Sequence, residues 1–484
     1  VRAPTPHGLA RRTLGAGSLW FFAVSASAPV TVVAGGVVAA FATTGVVGLP
    51  LGYLALAGVL ITFAVVYTAM SRDVVHPATF YAFFANGLGR RAALAGGAVS
   101  LVAYNAIQIS LYGLFGATTA AILGGPWWAW AAGVWLLVGL LGILRVRLSA
   151  RTLAVVVIAQ IALLVLLDTS AFLHPAAGTV SVTPLLPDQL FTAGLGGALT
   201  LVIASFIGVE SVLVYREEAH SHRAVQVAIV GALAVLGVLY ALTSWALVVA
   251  VGPDNIVALA QDPGAGLPFA PLTEQYGALA GQIGLALLLL SMFAALVSFH
   301  NVVARYIYGI AREGVLPGRW AAAASGLRDG VPIAGSIVQS TIAAVVLLFF
   351  AAAQLDPVAT MFTWLSALAA LGVLALMVGA CGAALSRYAA DPADTTLGQR
   401  IIAPVVSGVG LLVTLVVATV NLDSLVGPSP LRWLLPTLLV ATAVFAAAWG
   451  ARLQRRQPGA YAAIGRGQAQ PLAVVERAFA GLEL

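Results

Sequence analysis

Apolar runs of roughly 20 residues, repeated along the whole chain, restrict what this sequence can fold into more than any other feature. Twelve runs can be traced, at roughly 17–44, 48–70, 93–123, 127–144, 149–168, 190–214, 224–251, 276–308, 334–353, 358–385, 402–421 and 431–450, here numbered as spans 1 to 12. A helix of about 20 apolar residues crosses the ~30 Å hydrocarbon core of a bilayer. Helices are favoured there because they satisfy their own backbone groups where no water can. The alternating ~10-residue segments of a membrane barrel are not visible. A soluble chain carries about 25% charged residues. This one has 8% charged and 61% hydrophobic residues over 484 positions. The sequence therefore predicts an all-α membrane protein of twelve transmembrane helices, with the lipid bilayer as its partner.

The connections are short and carry Gly, Pro, Asp or Arg, the residues that end helices. All 23 basic residues are arginine. They gather at the N-terminus, in the even-numbered connections and in the C-terminal segment, for example Arg72, Arg90, Arg91, Arg145, Arg147, Arg151, Arg216, Arg223, Arg387 and Arg400. Arg305, in the last turns of span 8, and Arg432, at the start of span 12, stand apart. Arg305 is expected to snorkel or to pair with an inner acid. By the positive-inside rule both termini are expected in the cytoplasm. This gives an N-terminal segment 1–16, a helical domain 17–450 and a tail 451–484, to which no structure is assigned. Arg11-Arg12 followed by Ser25-Ala26-Ser27-Ala28 imitates a cleaved export signal. The apolar run continues to about Ala42, however, too long for such a signal, so it reads as the first span.

The net charge of +6 reflects this topology and not nucleic-acid binding. Cys381 is the only cysteine and the six histidines are scattered, so neither a disulfide nor a metal site is expected, and no cofactor. Without lysine the chain cannot carry a phosphate-binding Gly-x-x-x-x-Gly-Lys motif, so ATP is not the expected energy source. Lysine-free, alanine-rich usage suggests a GC-rich bacterial genome, and the location expected is the bacterial cytoplasmic membrane.

Two spans are interrupted. Span 1 contains Ser25-Ala26-Ser27-Ala28-Pro29-Val30-Thr31-Val32-Val33-Ala34-Gly35-Gly36. Pro29 removes a backbone donor, and Gly35-Gly36 permits unusual backbone angles. Span 6 contains Ser205-Phe206-Ile207-Gly208-Val209-Glu210-Ser211, with an acid at membrane depth. These are the first spans of two successive five-helix sets, about 17–168 and 190–385, followed by extra helices at about 402–450. That arrangement points to an inverted-repeat transporter with discontinuous helices 1 and 6. Half-helix N-termini offer N–H groups to an anion, and half-helix C-termini offer carbonyls to a cation. For a zwitterion, the carboxylate is expected near the backbone from Val32 to Gly36. The amine is expected near the carbonyls of Ala28 to Val30 and of Ala204 to Ile207. The substrate-site candidates are thus Ala28, Pro29, Thr31, Val33, Gly35 and Gly36 of span 1, with Ala204, Ser205, Phe206, Ile207 and Gly208 of span 6.

Four segments resemble the amino acid–polyamine–organocation (APC) superfamily of permeases. Ser205 to Ser211 is similar to the span 6 motif of bacterial arginine/agmatine antiporters. Glu217-Glu218-Ala219 stands where the family has an acidic pair. Ala311-Arg312-Glu313-Gly314-Val315-Leu316-Pro317 resembles the signature after span 8. His76-Pro77-Ala78-Thr79-Phe80-Tyr81-Ala82-Phe83 resembles the motif before span 3. The resemblance implies a leucine-transporter-like five-plus-five fold working by alternating access, and an amino acid or related amine as substrate. There are departures. Ala204 stands where the antiporters carry a gating tryptophan, the Gly-Ser-Gly-type turn of span 1 is missing, and so are the glycines of the motif before span 3. Some proton-coupled relatives use a lysine in span 5. Here Gln160 is the only polar residue near the middle of that span, which excludes a lysine switch.

Other residues are weighed individually. Glu210 would cost about 2.5–3.5 kcal/mol if ionised at a helix centre, so it is a proton-coupling candidate or a partner for a cationic group, against a carboxyl bonded to a neighbouring helix end. His300 is a second proton-coupling candidate, against a satisfied helix–helix histidine. The implied fold packs span 8 beside span 1, which makes Ser298 an ion-site candidate and Ser291 a further possible donor. A serine in a membrane helix, however, usually bonds its own backbone. Tyr104, Asn105 and Gln108 share one face of span 3, as cavity lining or as interhelical glue. Trp364 and Ser366 of span 10 are gate candidates, against ordinary core or lipid contact. The function expected is secondary active transport of a small-molecule amino acid or related amine, coupled to protons or exchanging. The protein is not expected to be an enzyme. A polyamine or organocation carrier of the same fold is the alternative, followed by a non-transporting membrane sensor or an intramembrane enzyme.

Overall fold

The computed structural model describes residues 14–144, 150–262, 266–316, 332–392, 395–427 and 430–467. Arg11 and Arg12, the end of the tail and Pro317 of the post-span-8 motif lie outside them. The described residues are helical, and their one β-like feature is an isolated bridge between Leu14 and Ala219. Ten of the expected segments are helices long and apolar enough to cross a membrane: Ala16–Thr44, Leu49–Asp73, Arg90–Leu123, Arg151–Leu173, His222–Val251, Ala278–Ala311, Ile333–Ala352, Pro357–Ala390, Gly398–Val420 and Pro430–Arg456. The remaining two expected segments are shorter helices, Trp127–Ile143 for span 4 and Leu195–Ala204 for span 6. Span 3 runs beyond its apolar core at its first turn, which carries Arg90 and Arg91, and spans 8 and 10 at their last turns, which carry Arg305 and Arg387. Span 10 also starts on a side-chain cap, in which Asp356 Oδ1 accepts the N–H groups of Val358 and Ala359 at 2.8 and 2.6 Å.

Spans 1 and 10 form the centre. Each is 72% buried in its most apolar window, against 33% for spans 9 and 11 and 22% for span 12. The outer spans turn side chains such as Leu348, Val413 and Phe445 outward, as expected of a face solvated by lipid. Span 1 packs on spans 5, 7 and 8, and span 3 packs on spans 4, 8, 10 and 12. Spans 2 and 7 come close because Gly237 lies against Ala57, where an added Cβ would sit 2.4 Å from the Ala57 Cβ.

The face bearing the arginine-rich connections is closed by a buried polar network. Arg305 pairs with Glu218 at 3.1 Å and lies 4.7 Å from the centre of the Tyr215 ring. Arg312 pairs with Glu217 at 2.6 Å. The acidic pair after span 6 is therefore clamped to the end of span 8. Glu313 is wholly buried and gathers donors from two segments, the stretch before span 3 and the C-terminal segment. It accepts from the Tyr81 hydroxyl at 2.6 Å and from His76 Nε2 at 3.2 Å. It also accepts from the N–H groups of Gly465 and Gly467 at 2.8 and 2.6 Å. The N–H of Ala78 donates to His76 Nδ1 at 2.9 Å, which leaves Nε2 as the donor to Glu313. The tail, given no structure from sequence, thus forms a short helix Pro458–Ala463 and docks on this acid. A tail with a weak hydrophobic pattern is ordered by backbone donors that sequence periodicity does not register.

Burial alone would raise the Glu313 carboxyl. The hydrogen bonds from His76, Tyr81 and Gly467 outweigh it and hold the group below its ordinary value. The stability it contributes is complete above the ordinary carboxylate range and is lost as pH falls through the lowered value. Glu313→Ala is expected to destabilise the protein by about 3–5 kcal/mol, measured as a fall in thermal unfolding temperature in detergent. Glu313→Gln is expected to flatten the acid limb of the stability–pH curve.

Candidate functional site

The first helix of span 1, Ala16–Ser27, stops where Ala28 takes the left-handed conformation, φ 51° and ψ 71°. The chain re-enters helix at Pro29, a residue suited to a first helical position because it has no N–H to satisfy. The break therefore lies one residue before Pro29 and not across Pro29 to Gly36. Val32–Val37, including Gly35 and Gly36, is a continuous π-helical turn. In an uninterrupted helix the carbonyls of Ser25, Ala26 and Ser27 would accept from residues 29, 30 and 31. Pro29 has no proton to give. The N–H of Val30 turns to Gln160 Oε1 at 3.4 Å, and that of Thr31 to Ser291 Oγ at 3.3 Å. Those three carbonyls are left without their helical partners.

Span 6 breaks in the same region of the molecule. The helix Leu195–Ala204 gives way to a turn and then to a 3-10 segment, Glu210–Tyr215. Gly208 sits in the turn at φ 112°, and a Cβ there would lie 3.0 Å from the Ala26 backbone and from its Cβ. Only glycine meets both requirements, the angle and the close approach. Glu210 folds back so that Oε2 accepts the Gly208 N–H at 3.0 Å, while Oε1 has no hydrogen-bond partner among the described residues and Tyr104 of span 3 lies close to the same carboxyl. The acid caps the start of its own half-helix. It borders a small apolar crevice shared with Phe63, Tyr67 and Met377.

The two breaks are tied together. Ser27 Oγ donates to the Ser205 carbonyl at 2.8 Å, and Ser205 Oγ donates to the Leu201 carbonyl at 2.9 Å. With those protons placed, Tyr240 donates to Ser27 Oγ at 2.9 Å and Tyr53 donates to Ser205 Oγ at 3.1 Å. Beside this knot lies a cavity of about 50 Å³. A single water needs about 10–15 Å³ of such space, so a small solute fits.

Of the residues expected from sequence, Ala28, Thr31, Gly36, Ala204, Ser205 and Ile207 line the cavity. The others lie elsewhere. Pro29 and Val33 are buried in packing, and Gly35 faces Leu114 and Phe362. Phe206 packs against Tyr53 and Tyr240. Gly208 is in the turn behind the wall. Tyr104 meets Glu210, and Asn105 bonds its own Leu101 carbonyl at 2.7 Å. Gln108 bonds Tyr112 at 3.0 Å and is joined by Gln339 of span 9. Ser298 bonds its own Ala294 carbonyl at 2.8 Å, whereas Ser291 reaches Gln160 at 2.7 Å. His300 Nε2 meets Ser336 Oγ of span 9 at 2.9 Å. Trp364 is not on the wall, and its near neighbour Ser366 is. Sequence reading missed Ser27, Ile107, Leu111, Phe299 and Phe362, all lining residues. Only Ser27 carried a signal, as a hydroxyl close to the proline of a broken helix.

Interrupted helices back to back around a buried cavity, within a bundle of membrane-length helices, define a multi-pass membrane protein of the permease class. A model of the family described as amino acid permease matches residues 14–446, and the chain belongs to that family within the APC superfamily. No curated protein matches the sequence. The fold is similar to that of solved structures of a manganese transporter from Eremococcus coleocola. A histidine-to-alanine mutant of that transporter matches with TM-score 0.57 at 14% identity, over 96% of this chain and 99% of that one. A glutamate-to-glutamine mutant matches with TM-score 0.56 at 14% identity, over 97% and 98%. A complex with an aromatic bis-isothiourea substituted compound matches with TM-score 0.58 at 13% identity, over 96% and 100%.

Gly208→Ala is expected to strain the turn by about 1–3 kcal/mol and to push the span 6 break off Ala26. It should lower the unfolding temperature and abolish ligand-induced stabilisation in the same thermal assay.

Proposed function

We propose that the protein is a secondary active transporter of an amino acid or related amine, working by alternating access. The observation that carries this reading is the cavity between the two helix breaks, with carbonyls released from helix bonding at its edge. A half-helix C-terminus of this kind suits an ammonium group in a site screened from water. The five-plus-five repeat, with spans 11 and 12 outside it, supplies two halves that can rock around the tied breaks. The arginine pattern supports both termini on the cytoplasmic side of a bacterial cell membrane.

The solved neighbours are structures of a manganese transporter. The cavity wall here has no Asp, Glu, His or Cys, the ligand types that hold such an ion. Among the described residues no group of three or more of them comes together. This favours an organic amine.

Proton coupling through Glu210 is part of the proposal, since it is a buried acid at the hinge of span 6. Its neighbour Tyr104 belongs to span 3, so a change in protonation would alter a contact between two helices. His300 and Ser298 have partners in spans 9 and 8 and lie off the cavity, which makes them weaker candidates.

Reconstituted in liposomes without nucleotide, the protein should exchange labelled amino acids or amines by counterflow. An intact protein with no flux of any of them would overturn the proposal. Glu210→Gln keeps an acceptor for the Gly208 N–H. It should retain binding and lose the pH dependence of net uptake, read as a flat rate between pH 5 and 8 on the scale of about tenfold change per unit in the parent. Wild-type pH dependence in that variant would remove Glu210 from the proton path.

A further inference from the structure

The wall of the central cavity offers hydrogen-bond acceptors and no free donor. Four hydroxyls line it, those of Ser27, Thr31, Ser205 and Ser366. Each carries one proton, and each proton already points elsewhere. Ser27 donates to the Ser205 carbonyl and Ser205 to the Leu201 carbonyl. Thr31 Oγ1 donates to Ser291 Oγ at 3.0 Å, and Ser366 Oγ donates to Ser110 Oγ at 3.1 Å. The backbone of the span 6 turn is also closed, with the N–H groups of Ser205, Phe206 and Ile207 bonded to the carbonyls of Leu201, Ile203 and Ala204.

Both half-helix N-termini are filled by the protein itself. In span 1 the N–H groups of Val30 and Thr31 are taken by Gln160 and Ser291. These side chains are linked in turn, since Ser291 Oγ donates to Gln160 Oε1 at 2.7 Å. In span 6 the N–H of Gly208 is taken by the carboxylate of Glu210. An incoming carboxylate therefore finds neither a helix N-terminus, nor a hydroxyl proton, nor a basic side chain on this wall. An ammonium finds hydroxyl lone pairs and the released carbonyls of Ala26 and Ser27, in a space otherwise lined by aliphatic and aromatic carbon.

We infer that the substrate is a small monoamine cation recognised without a carboxylate, an alkylamine or amino alcohol of a few heavy atoms. This rests on the transport reading above and narrows it. Size follows from the cavity volume of about 50 Å³. Charge follows from the all-acceptor wall. Selection against the matching amino acid follows from the cost of burying a carboxylate that has no donor.

The test uses matched pairs that differ only by the carboxylate: methylamine with glycine, and ethanolamine with serine. Each is run on the full-length purified protein as thermal stabilisation, and in proteoliposomes as counterflow. The amine of each pair should bind at least tenfold more tightly than its amino acid. An amino acid that binds as tightly as its amine overturns this inference and leaves the transport reading standing. Silence from every amine and amino acid, by an intact protein, overturns both. The Gln160→Ala, Ser291→Ala double variant uncovers the span 1 N–H groups and should narrow the amine preference at least threefold. A ratio unchanged from wild type in a folded double variant would show that capping does not set the preference, and would overturn the inference.

Discussion

Inside a bilayer every backbone N–H and C=O must find a partner within the protein, and two interrupted helices break that rule unless something supplies partners. The rest of the site depends on how this structure does so. Ser27 of span 1 donates to the Ser205 carbonyl of span 6, so each break completes the other. Tyr53 and Tyr240 then fix the two serines from spans 2 and 7. Four helices are held to one point by hydroxyl groups whose protons each have a single direction. The cavity is the space these constraints leave between the two breaks.

The same rule explains the polar residues that look misplaced in an apolar chain. Gln160 and Ser291 are not decorations of spans 5 and 8. They accept the N–H groups that Pro29 and Ala28 deprive of helical partners. Glu210 answers the corresponding need in span 6, where the positive φ of Gly208 turns an N–H toward it. At the arginine-rich face the pattern repeats with charges. Arg305, Arg312 and Glu313, on one helix end, reach Glu218, Glu217 and the C-terminal segment. Two ion pairs, one buried and one part-buried, therefore join span 8 to the segment after span 6 at this face.

Much of this is legible in the chain before it folds. The apolar runs, the arginine alternation and the two glycine- or proline-bearing interruptions are local properties, set by hydropathy and by φ/ψ preferences. Gly208 is readable because only glycine suits its angle. The family resemblance is readable because its motifs sit at helix ends, where sequence is least interchangeable. The position of the span 1 break is not readable, because Pro29 and Gly35-Gly36 both permit a kink. The choice of Ala28 depends on partners from spans 5 and 8. Asn105 and Ser298 have the character of site residues, but their side chains are satisfied by carbonyls one turn back on their own helices.

By itself the sequence determined a helical membrane bundle, its interruptions and the residue types near them, because burial in lipid and backbone strain act locally. Tertiary structure decided which donors stay free. A hydroxyl or an N–H is available to a substrate only if no neighbour accepts its proton, and those neighbours lie up to 260 positions away, as Ser291 does from Thr31. Whether the stretch from Ser205 to Ser211 presents an anion site or closes one is therefore settled by packing. In this protein Glu210 takes the Gly208 N–H of span 6, and Gln160 and Ser291 take the Val30 and Thr31 N–H groups of span 1.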